Sequence, residues 1–414
     1  MLKLRNIVMT AMVVAGLAIL AGCGSSSSSS SGSSGGSSSS ASSNSPFVDL
    51  VDVDKTGPTK VYGIPELAGV EAAAKLVNEK EGGILGHKIV VKSINDNGDP
   101  QTGTSALISY LSSNPKPNNF YPGAESTLEG ALIPIAARRG LFMAAKGDGE
   151  NLFAPEHDPH KNYPWGFQAT GSVTPLNEGI AEFFKQKGIK KVGILQGEYA
   201  YAEGEVPIFE KALDKLGIAH TAVKVSLEAT SVTPEMDQLK SAGAEGLYVA
   251  LVGASSNYAF AARAQLGWNV PMVGEGSFSG TDLTKTVPAA QRKNAFVTLF
   301  PDTPSNTTVP GVGALKEAIG AAKLNEYGVP LDVIALGWDT VIMLKDAAKK
   351  ANSIEPAKMA AALETGGEFT DPDMAMFSAM KFSEENHENF APTSKDFPVV
   401  PVGPFKEGQL QVAG

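Results

Sequence analysis

Residues 67–94, LAGVEAAAKLVNEKEGGILGHKIVVKSI, contain a helix, a turn and a strand in immediate succession. The alanine, leucine and valine residues of segment 67–80 favour a helix. The glycine-rich run 82–86 predicts a tight turn, because glycine tolerates the positive φ angles that such turns need. The β-branched residues of segment 88–94 favour a strand. This stretch therefore predicts a helix that returns directly into a strand of an α/β fold.

The same alternation continues along the chain. Further strands are predicted at residues 47–53, 141–145, 191–195, 219–225, 246–251 and 271–273, and further helices at 101–112, 129–139, 176–187, 205–216, 234–242, 257–266, 312–327 and 333–351. Strands and helices at this spacing are typical of parallel sheets flanked by helices. With 414 residues the chain is too long for one compact domain. We therefore expect an α/β fold with two doubly wound parallel-sheet lobes.

The composition excludes some classes of protein. Hydrophobic residues make up 43% of the chain and charged residues 19%, which is typical of a soluble globular protein. The formal net charge of −10 argues against nucleic acid as a partner, since phosphate binding needs clustered positive charge. There is no Walker A motif and no Gly-x-Ser-x-Gly elbow. We therefore expect neither an enzyme nor a cofactor.

The N-terminal residues predict export. Lys3 and Arg5 precede an apolar run at 7–20, which is shorter than the roughly 20 residues of a bilayer-spanning helix and is typical of a secretory signal. The residues LAGC that end at Cys23 resemble the lipobox of bacterial lipoproteins. This resemblance implies cleavage before Cys23 and a diacylglycerol on its thiol; the alternative is an ordinary signal peptide with an incidental cysteine. Serine and glycine at 24–45 predict a flexible tether.

A series of short motifs continues the pattern set by the first helix, its Asn78 and the turn at 82–86. In chain order they are Thr56-Gly57-Pro58 with Tyr62-Gly63, Ser126-Thr127, Tyr201-Ala202-Glu203-Gly204, Gly274-Glu275-Gly276, Gly337-Trp338-Asp339, and the run 380–383 with Asn386-His387. Together they resemble the type I periplasmic binding proteins, and specifically the branched-chain amino acid-binding branch. The resemblance covers nearly all of residues 47–414.

That resemblance implies two lobes joined by three crossovers near residues 166–171, 295–300 and 377–382. The predicted domains are a signal peptide at 1–22, the lipidated cysteine and tether at 23–46, an N-terminal lobe at 47–167 plus 298–380, and a C-terminal lobe at 168–297 plus 381–414. The ligand is then expected in the cleft between the lobes. Open α/β sheets leave a crevice at the carboxyl ends of their strands, which is consistent with that position.

The resemblance also implies a set of ligand-binding residues. Ser126 and Thr127 are expected to donate to a ligand carboxylate, although both could instead cap their helix. Glu275 is expected to accept from a ligand ammonium, and otherwise would be a solvated loop carboxylate. Tyr62 and Tyr201 are expected to contact the ligand from opposite lobes, each with a flat ring and a hydroxyl, or to be packing residues.

Three more positions complete this set. Ala145 and Gly147 occupy the strand end whose backbone contacts the ligand in the family, and Trp338 either closes the apolar side of the pocket or belongs to the core. The loop at 252–255 lacks a tyrosine that amino acid-binding members often carry there. Lys146 could hold a second acidic group, so the expected ligand is an amino acid or a related small carboxylate, including dicarboxylic or aromatic acids.

We therefore expect a solute-binding lipoprotein of an ABC importer, monomeric, extracytoplasmic and held at the membrane by its lipid. Its partners would be a small-molecule ligand and an ABC permease. The alternative is an envelope lipoprotein that uses the same fold as a sensor or regulator of an envelope enzyme. No metal site is predicted. The segment 156–160, EHDPH, is interpreted as a polar loop, because Pro159 prevents a regular helical histidine pair and zinc needs three or four convergent ligands.

Overall fold

Strands and helices alternate along the body of the chain. The computed structural model describes residues 45–123, 125–146, 152–226, 228–252, 254–279, 282–300, 309–406 and 409–411. Cys23, the predicted signal peptide and Gly147 therefore lie outside the described residues. The strands are β1 (Phe47–Asp52), β2 (Ile89–Ile94), β3 (Asn119–Tyr121), β4 (Met143–Ala145), β5 (Gly166–Gly171), β6 (Lys191–Gly197), β7 (Ala219–Val225), β8 (Gly246–Ala250), β9 (Met272–Gly274), β10 (Ala295–Thr298), β11 (Glu368–Phe369), β12 (Met380–Lys381), β13 (Glu388–Asn389), β14 (Val399–Pro401), β15 (Phe405–Lys406) and β16 (Gln409–Leu410).

The helices occupy the intervals between these strands. They are α1 (Lys60–Glu81), α2 (Pro100–Ser113), α3 (Ser126–Arg138), α4 (Pro159–Asn162), α5 (Val173–Gln186), α6 (Ala200–Lys215), α7 (Thr233–Ser241), α8 (Ala254–Gln265), α9 (Gly276–Ser279), α10 (Leu283–Thr286), α11 (Ala289–Arg292), α12 (Val312–Ile319), α13 (Ala321–Tyr327), α14 (Leu331–Ala351) and α15 (Pro356–Thr365). Two short 3-10 helices, Pro155–His157 and Ser394–Asp396, complete the secondary structure of the described residues.

The first five strands form one group. The order β2-β1-β3 is parallel throughout, and β4 and β13 pair in parallel with β5. The side chain of Asn119 links the two sets, because its Oδ1 accepts from the backbone N–H of Ala144 at 2.7 Å. Its Nδ2 also donates to Asp49 Oδ1 at 2.7 Å. The first five strands therefore lie side by side in the order β2-β1-β3-β4-β5, that is, second, first, third, fourth, fifth along the chain.

The second group repeats that order. Its sheet runs β14-β10-β9-β8-β6-β7, parallel except for β14, which pairs antiparallel with β10. From β6 to β10 the strands again lie as second, first, third, fourth, fifth. This is a doubly wound order, with a ligand crevice outside the carboxyl ends of the strands where the order reverses. The predicted α/β fold class is confirmed, whereas the residue boundaries of the two lobes stay a prediction.

The largest differences from the predicted helix starts are in α1 and α6. Helix α1 begins at Lys60 instead of 67, and α6 begins at Ala200 instead of 205. Each helix contains a proline near its start, Pro65 in α1 and Pro207 in α6. Because proline has no backbone N–H, its presence in a sequence predicts that a helix does not extend through it. Tyr62 and Tyr201, which lie outside the predicted helices, are consequently in the first turns of α1 and α6.

Two other differences have local causes. The helix predicted at 312–327 is split into α12 and α13, because Gly320 has φ 81° and ψ 145°, which is not helical. Strand β3 was not predicted, since three residues are too few to show an alternating pattern.

Helix α14 packs closely against α1 in the core. A Cβ atom on Gly69 would lie 2.0 Å from the carbonyl oxygen of Ile334, and one on Gly337 would lie 2.1 Å from the carbonyl oxygen of Glu66. Both distances are far below van der Waals contact, so the two backbones touch at these glycines. Of the described helices, none is alone long and apolar enough to cross a membrane; α13 and α14, bent by 115°, pass that test as a pair by length and composition.

We predict that Gly337→Ala destabilises the protein by about 1–3 kcal/mol, the usual cost of adding a group to a filled core. The matched control is Gly313→Ala in α12, where an added Cβ meets nothing within 4 Å. That change should be neutral or stabilising by up to about 1 kcal/mol, because alanine favours helices. Urea unfolding measures both. If Gly337→Ala is as stable as the unmodified protein, the glycine contact does not set the spacing of the two helices.

Candidate ligand-binding site

The first half of the site is built on the start of α1. Tyr62 and Glu66 are four residues apart and so share one face of the helix. Glu66 is only 1% exposed. The Tyr121 hydroxyl donates to its Oε2 at 2.5 Å, and Lys146 Nζ lies 3.8 Å from its Oε1. A buried carboxylate needs such partners, and here a cation and a hydroxyl from two other strand ends supply them.

The second half of the site is built on β9 and α6. Glu275 follows the last residue of β9 and is 6% exposed. The hydroxyl of Tyr201, in the first turn of α6, donates to Glu275 Oε2 at 2.6 Å. The two residues predicted to bind a ligand from this half are thus in direct contact. The hydrogen bond also fixes the Tyr201 ring beside a buried carboxylate.

A second glutamate, Glu205, supports Glu275 from within. Glu205 is fully buried, and the Tyr248 hydroxyl donates to its Oε1. Its pKa is raised well above the ordinary value, first by burial and then by the charge of Glu275 and a hydrogen bond between the two carboxyl groups. As a carboxylate, Glu205 leaves its Oε2 without a donor. Protonation resolves this, because a carboxylic acid can donate to Glu275.

The two halves face each other. Burial raises the pKa of the Tyr62 hydroxyl, the charges of Glu66 and Glu275 raise it further, and the charge of Lys146 lowers it. Charges from both halves thus act on one side chain. Lys146 and Tyr201 also line a single cavity of about 120 Å³, together with Thr170, Val173, Leu176, Phe300, Leu336 and Met376 among others. Lys146 therefore lies in the same crevice as Tyr201, the residue whose hydroxyl binds Glu275, and the crevice has mostly apolar walls.

The remaining predicted residues have different positions. Ser126 is buried as the first residue of α3, whereas Thr127 is exposed and donates its hydroxyl to Glu125 Oε1 at 2.8 Å. Glu125 caps this helix by accepting from the backbone N–H of Thr127, and the capping alternative considered for Ser126 and Thr127 stays a prediction. Ser126 stays a candidate for ligand contact.

Two other predicted positions lie in the core. Ala145 ends β4 and is fully buried, next to Lys146. Trp338 is fully buried in α14, and its indole N–H donates to the carbonyl oxygen of Asp373 at 2.6 Å. Of the two roles considered for Trp338, this position favours the core over the pocket wall. Gly147 and Cys23 are outside the described residues.

Sequence reasoning missed Glu66 and Glu205 and assigned Lys146 only to an additional acidic group. A signal for the glutamates was present. Tyr62-x-x-x-Glu66 and Tyr201-x-x-x-Glu205 have the same spacing, and each lies at the start of the helix that follows the first strand of its group. The spacing places each glutamate one turn below its tyrosine on the same face. A glutamate repeated at that position indicates a buried role.

Comparisons with known proteins identify the class. A family model described as periplasmic binding protein matches residues 51–394. Leu/Ile/Val-binding protein homolog 3 of Brucella melitensis biotype 1 is 28% identical over 325 residues, which are 75% of this chain and 81% of that protein.

Solved structures share the fold. A type 1 periplasmic binding protein from Bordetella pertussis Tohama I superposes with a TM-score of 0.73 at 20% identity, over 89% of this chain and 99% of that one. An ABC transporter solute-binding protein from R. palustris, in complex with benzoate, gives a TM-score of 0.67 at 17% identity, over 89% and 96%.

The fold and the matched sequence define an extracytoplasmic solute-binding protein and not an enzyme. More particularly, the chain belongs to the periplasmic binding protein family, and it has the fold of the type 1 members. The family predicted from the sequence motifs is confirmed.

We predict that Glu205 makes the stability of the protein fall as pH rises. Its folded-state pKa is raised above the ordinary value of 4.5, so above that pH the folded protein keeps a proton that the unfolded chain releases. The free energy of unfolding therefore loses about 1.4 kcal/mol per pH unit from this group until the folded-state pKa is passed. In Glu205→Gln this contribution is absent.

The measurement is urea unfolding between pH 5 and 7 for the unmodified protein and Glu205→Gln. The difference between the unfolding free energies of the two proteins should change by about 1.4 kcal/mol per pH unit. Glu203→Gln, at an exposed position on the same helix, is the charge-matched control. Parallel curves for the unmodified protein and Glu205→Gln would show that Glu205 is ionised in the folded protein.

Proposed function

We propose that this protein is the capture component of an ABC importer and binds an amino acid or a related small carboxylate between its two lobes. The main support is the crevice that Lys146 and Tyr201 line together, since Tyr201 also binds the buried carboxylate of Glu275. A zwitterion entering it meets Lys146 and Tyr201, whose hydroxyl is bound to the carboxylate of Glu275. Both charged ends of a ligand need partners once they leave water.

Each end of such a ligand has a candidate partner. Glu275 accepts from the ammonium, and its position is held by Tyr201 and Glu205. Ser126 at the start of α3 donates to the carboxylate, and the positive end of the helix dipole adds favourable charge there. Tyr62 supplies a flat ring and a hydroxyl from the α1 side.

The related proteins suggest two kinds of ligand. The Brucella relative is named for leucine, isoleucine and valine, whereas the R. palustris protein is in complex with benzoate, a carboxylate without an ammonium. Glu275 favours the first kind, because a buried carboxylate close to the ligand stabilises an ammonium and repels a second carboxylate.

We also propose that residues 47–167 plus 298–380 and residues 168–297 plus 381–414 are the two lobes, and that they close around the ligand by a hinge motion. Contacts made by Tyr62 on one side and Tyr201 on the other require both lobes to surround the ligand. Closure of this kind is driven by contacts that exist only in the closed state. The closed form then docks on the permease.

The first test is a thermal-shift screen of amino acids, dicarboxylates, aromatic acids and amides. A ligand at 100 times its Kd should stabilise the protein by about 2.7 kcal/mol. For the ligand found, Glu275→Gln should weaken binding by at least about tenfold in calorimetry, because a hydrogen bond to a charged group contributes about 1.5–3 kcal/mol. Glu203→Gln, which loses an exposed carboxylate on α6, is the control and should bind normally.

Two results would contradict the proposal. A complete absence of shifts across the screen argues against solute capture altogether. An unchanged affinity in Glu275→Gln leaves solute binding intact but removes the assignment of Glu275 to the ammonium.

We further propose that the thiol of Cys23 carries the lipid that anchors the protein. Detergent phase partitioning of cells that express the protein should place it in the detergent phase, and mass spectrometry should give Cys23 as the modified first residue. Cys23→Ala should move the protein out of the detergent phase, whereas Ser25→Ala should not. A mature protein that begins elsewhere, without lipid, contradicts the anchor.

A further inference from the structure

Three side chains that are far apart in the sequence meet outside the ligand site. His160 lies in α4, Glu364 near the end of α15, and His387 immediately before β13. His160 Nδ1 is 2.7 Å and His387 Nε2 is 3.0 Å from the same atom, Glu364 Oε1. Two imidazoles and a carboxylate within 4.8 Å of one another form the one group of this kind in the described residues.

His387 is held rigidly. It is fully buried, and its ring stacks on Phe167 with the ring centroids 4.1 Å apart. Its Nδ1 lies 2.8 Å from the carbonyl oxygen of Gly166. A carbonyl oxygen can only accept, so Nδ1 must carry the proton and, in the neutral ring, Nε2 must carry the lone pair.

That lone pair creates a conflict. Nε2 of the neutral ring and Oε1 of Glu364 are both acceptors, yet they are only 3.0 Å apart. A positive ion between His387 Nε2 and Glu364 Oε1 would bind both electron pairs and remove their repulsion. The second imidazole also reaches this position, since His160 Nδ1 is 2.7 Å from the same oxygen.

We propose that His160, Glu364 and His387 bind a divalent transition-metal ion, with zinc as the best match. Imidazole nitrogens and a carboxylate oxygen are ordinary zinc ligands, and three protein ligands leave a fourth position for water. The N–H of His387 bonded to the Gly166 carbonyl is the outer hydrogen bond that metal-binding histidines usually make. The side chain of His160 is 54% exposed, so an ion reaches the site from solvent.

The three ligand atoms, which lie within 4.8 Å of one another, must adjust to hold an ion. In a tetrahedral site with bonds of about 2.0 Å, ligand atoms lie about 3.3 Å apart. The distances from Glu364 Oε1, now 2.7 Å to His160 and 3.0 Å to His387, must therefore lengthen by about 0.6 Å and about 0.3 Å, and the exposed His160 can move to allow this. A bound ion would join α4, α15 and the segment before β13. Because β13 pairs with β5, the ion would fasten the edge of the first strand group.

The test uses the untagged full-length protein, solubilised in detergent and freed of metal with a chelator. Titration with Zn²⁺ should show one tight equivalent and a higher melting temperature, and Co²⁺ should give the visible absorption of a tetrahedral site. His160→Ala and Glu364→Gln should each weaken Zn²⁺ binding at least tenfold. Substitution of the exposed His160 avoids the risk that a variant of the buried His387 fails to fold.

Two other histidines serve as controls. His157 is exposed near His160 in sequence, and His220 lies 3.2 Å from carboxylates of both Glu210 and Asp214. Neither His157→Ala nor His220→Ala should change the tight equivalent. The proposal is overturned if no stoichiometric binding occurs, if His160→Ala and Glu364→Gln bind as well as the unmodified protein, or if His220→Ala abolishes binding. None of these residues belongs to the ligand site, so solute binding is tested separately.

Discussion

The close contact between α1 and α14 determines where the first half of the ligand site lies. At Gly337 the α14 backbone touches the carbonyl oxygen of Glu66, at a distance that no side chain could enter. Glu66 is therefore fixed by the main chain of a buried helix and not by its own side-chain contacts alone. Tyr62, one turn earlier on the same helix, is fixed with it. Rigid elements hold binding groups more precisely than loops do, and this half of the site is built on such an element.

The burial of carboxylates is the second constraint, and the two halves of the site meet it differently. The cost of burying the Glu66 carboxylate is offset by the cation of Lys146 and by a hydrogen bond from the Tyr121 hydroxyl. Glu275 is supported by the hydroxyl of Tyr201 and by Glu205, whose pKa is raised by burial and by the charge of Glu275 itself. Sharing a proton keeps two adjacent acids from both carrying charge in a place that water does not reach. Lys146 is thus engaged with the protein's own carboxylate, which weakens the idea that it holds a second acidic group of the ligand.

Much of the fold was predictable because its signals are local. The turn at 82–86 has φ of 73° at Gly82, 101° at Gly83 and 81° at Gly86, the conformations that the glycines predicted. The starts of α1 and α6 were not predictable, because Pro65 and Pro207 argue against helix and only tertiary packing overrides them. The contact between Tyr201 and Glu275 joins two residues that the family resemblance had placed in one site.

Glu66 and Glu205 were missed for a physical reason. A glutamate on a helix is usually solvated, and its burial depends on partners such as Lys146 and Tyr248 that come from distant strand ends. The repeated Tyr-x-x-x-Glu spacing gives each half of the site a tyrosine and a glutamate at equivalent positions. The charge of Glu66 is compensated by Lys146, whereas the raised pKa of Glu205 favours its protonated form. A crevice made from equivalent parts is therefore electrostatically unequal on its two sides. The proposed zwitterionic ligand fits such a crevice in only one orientation, since reversing it would bring its carboxylate to the carboxylate of Glu275.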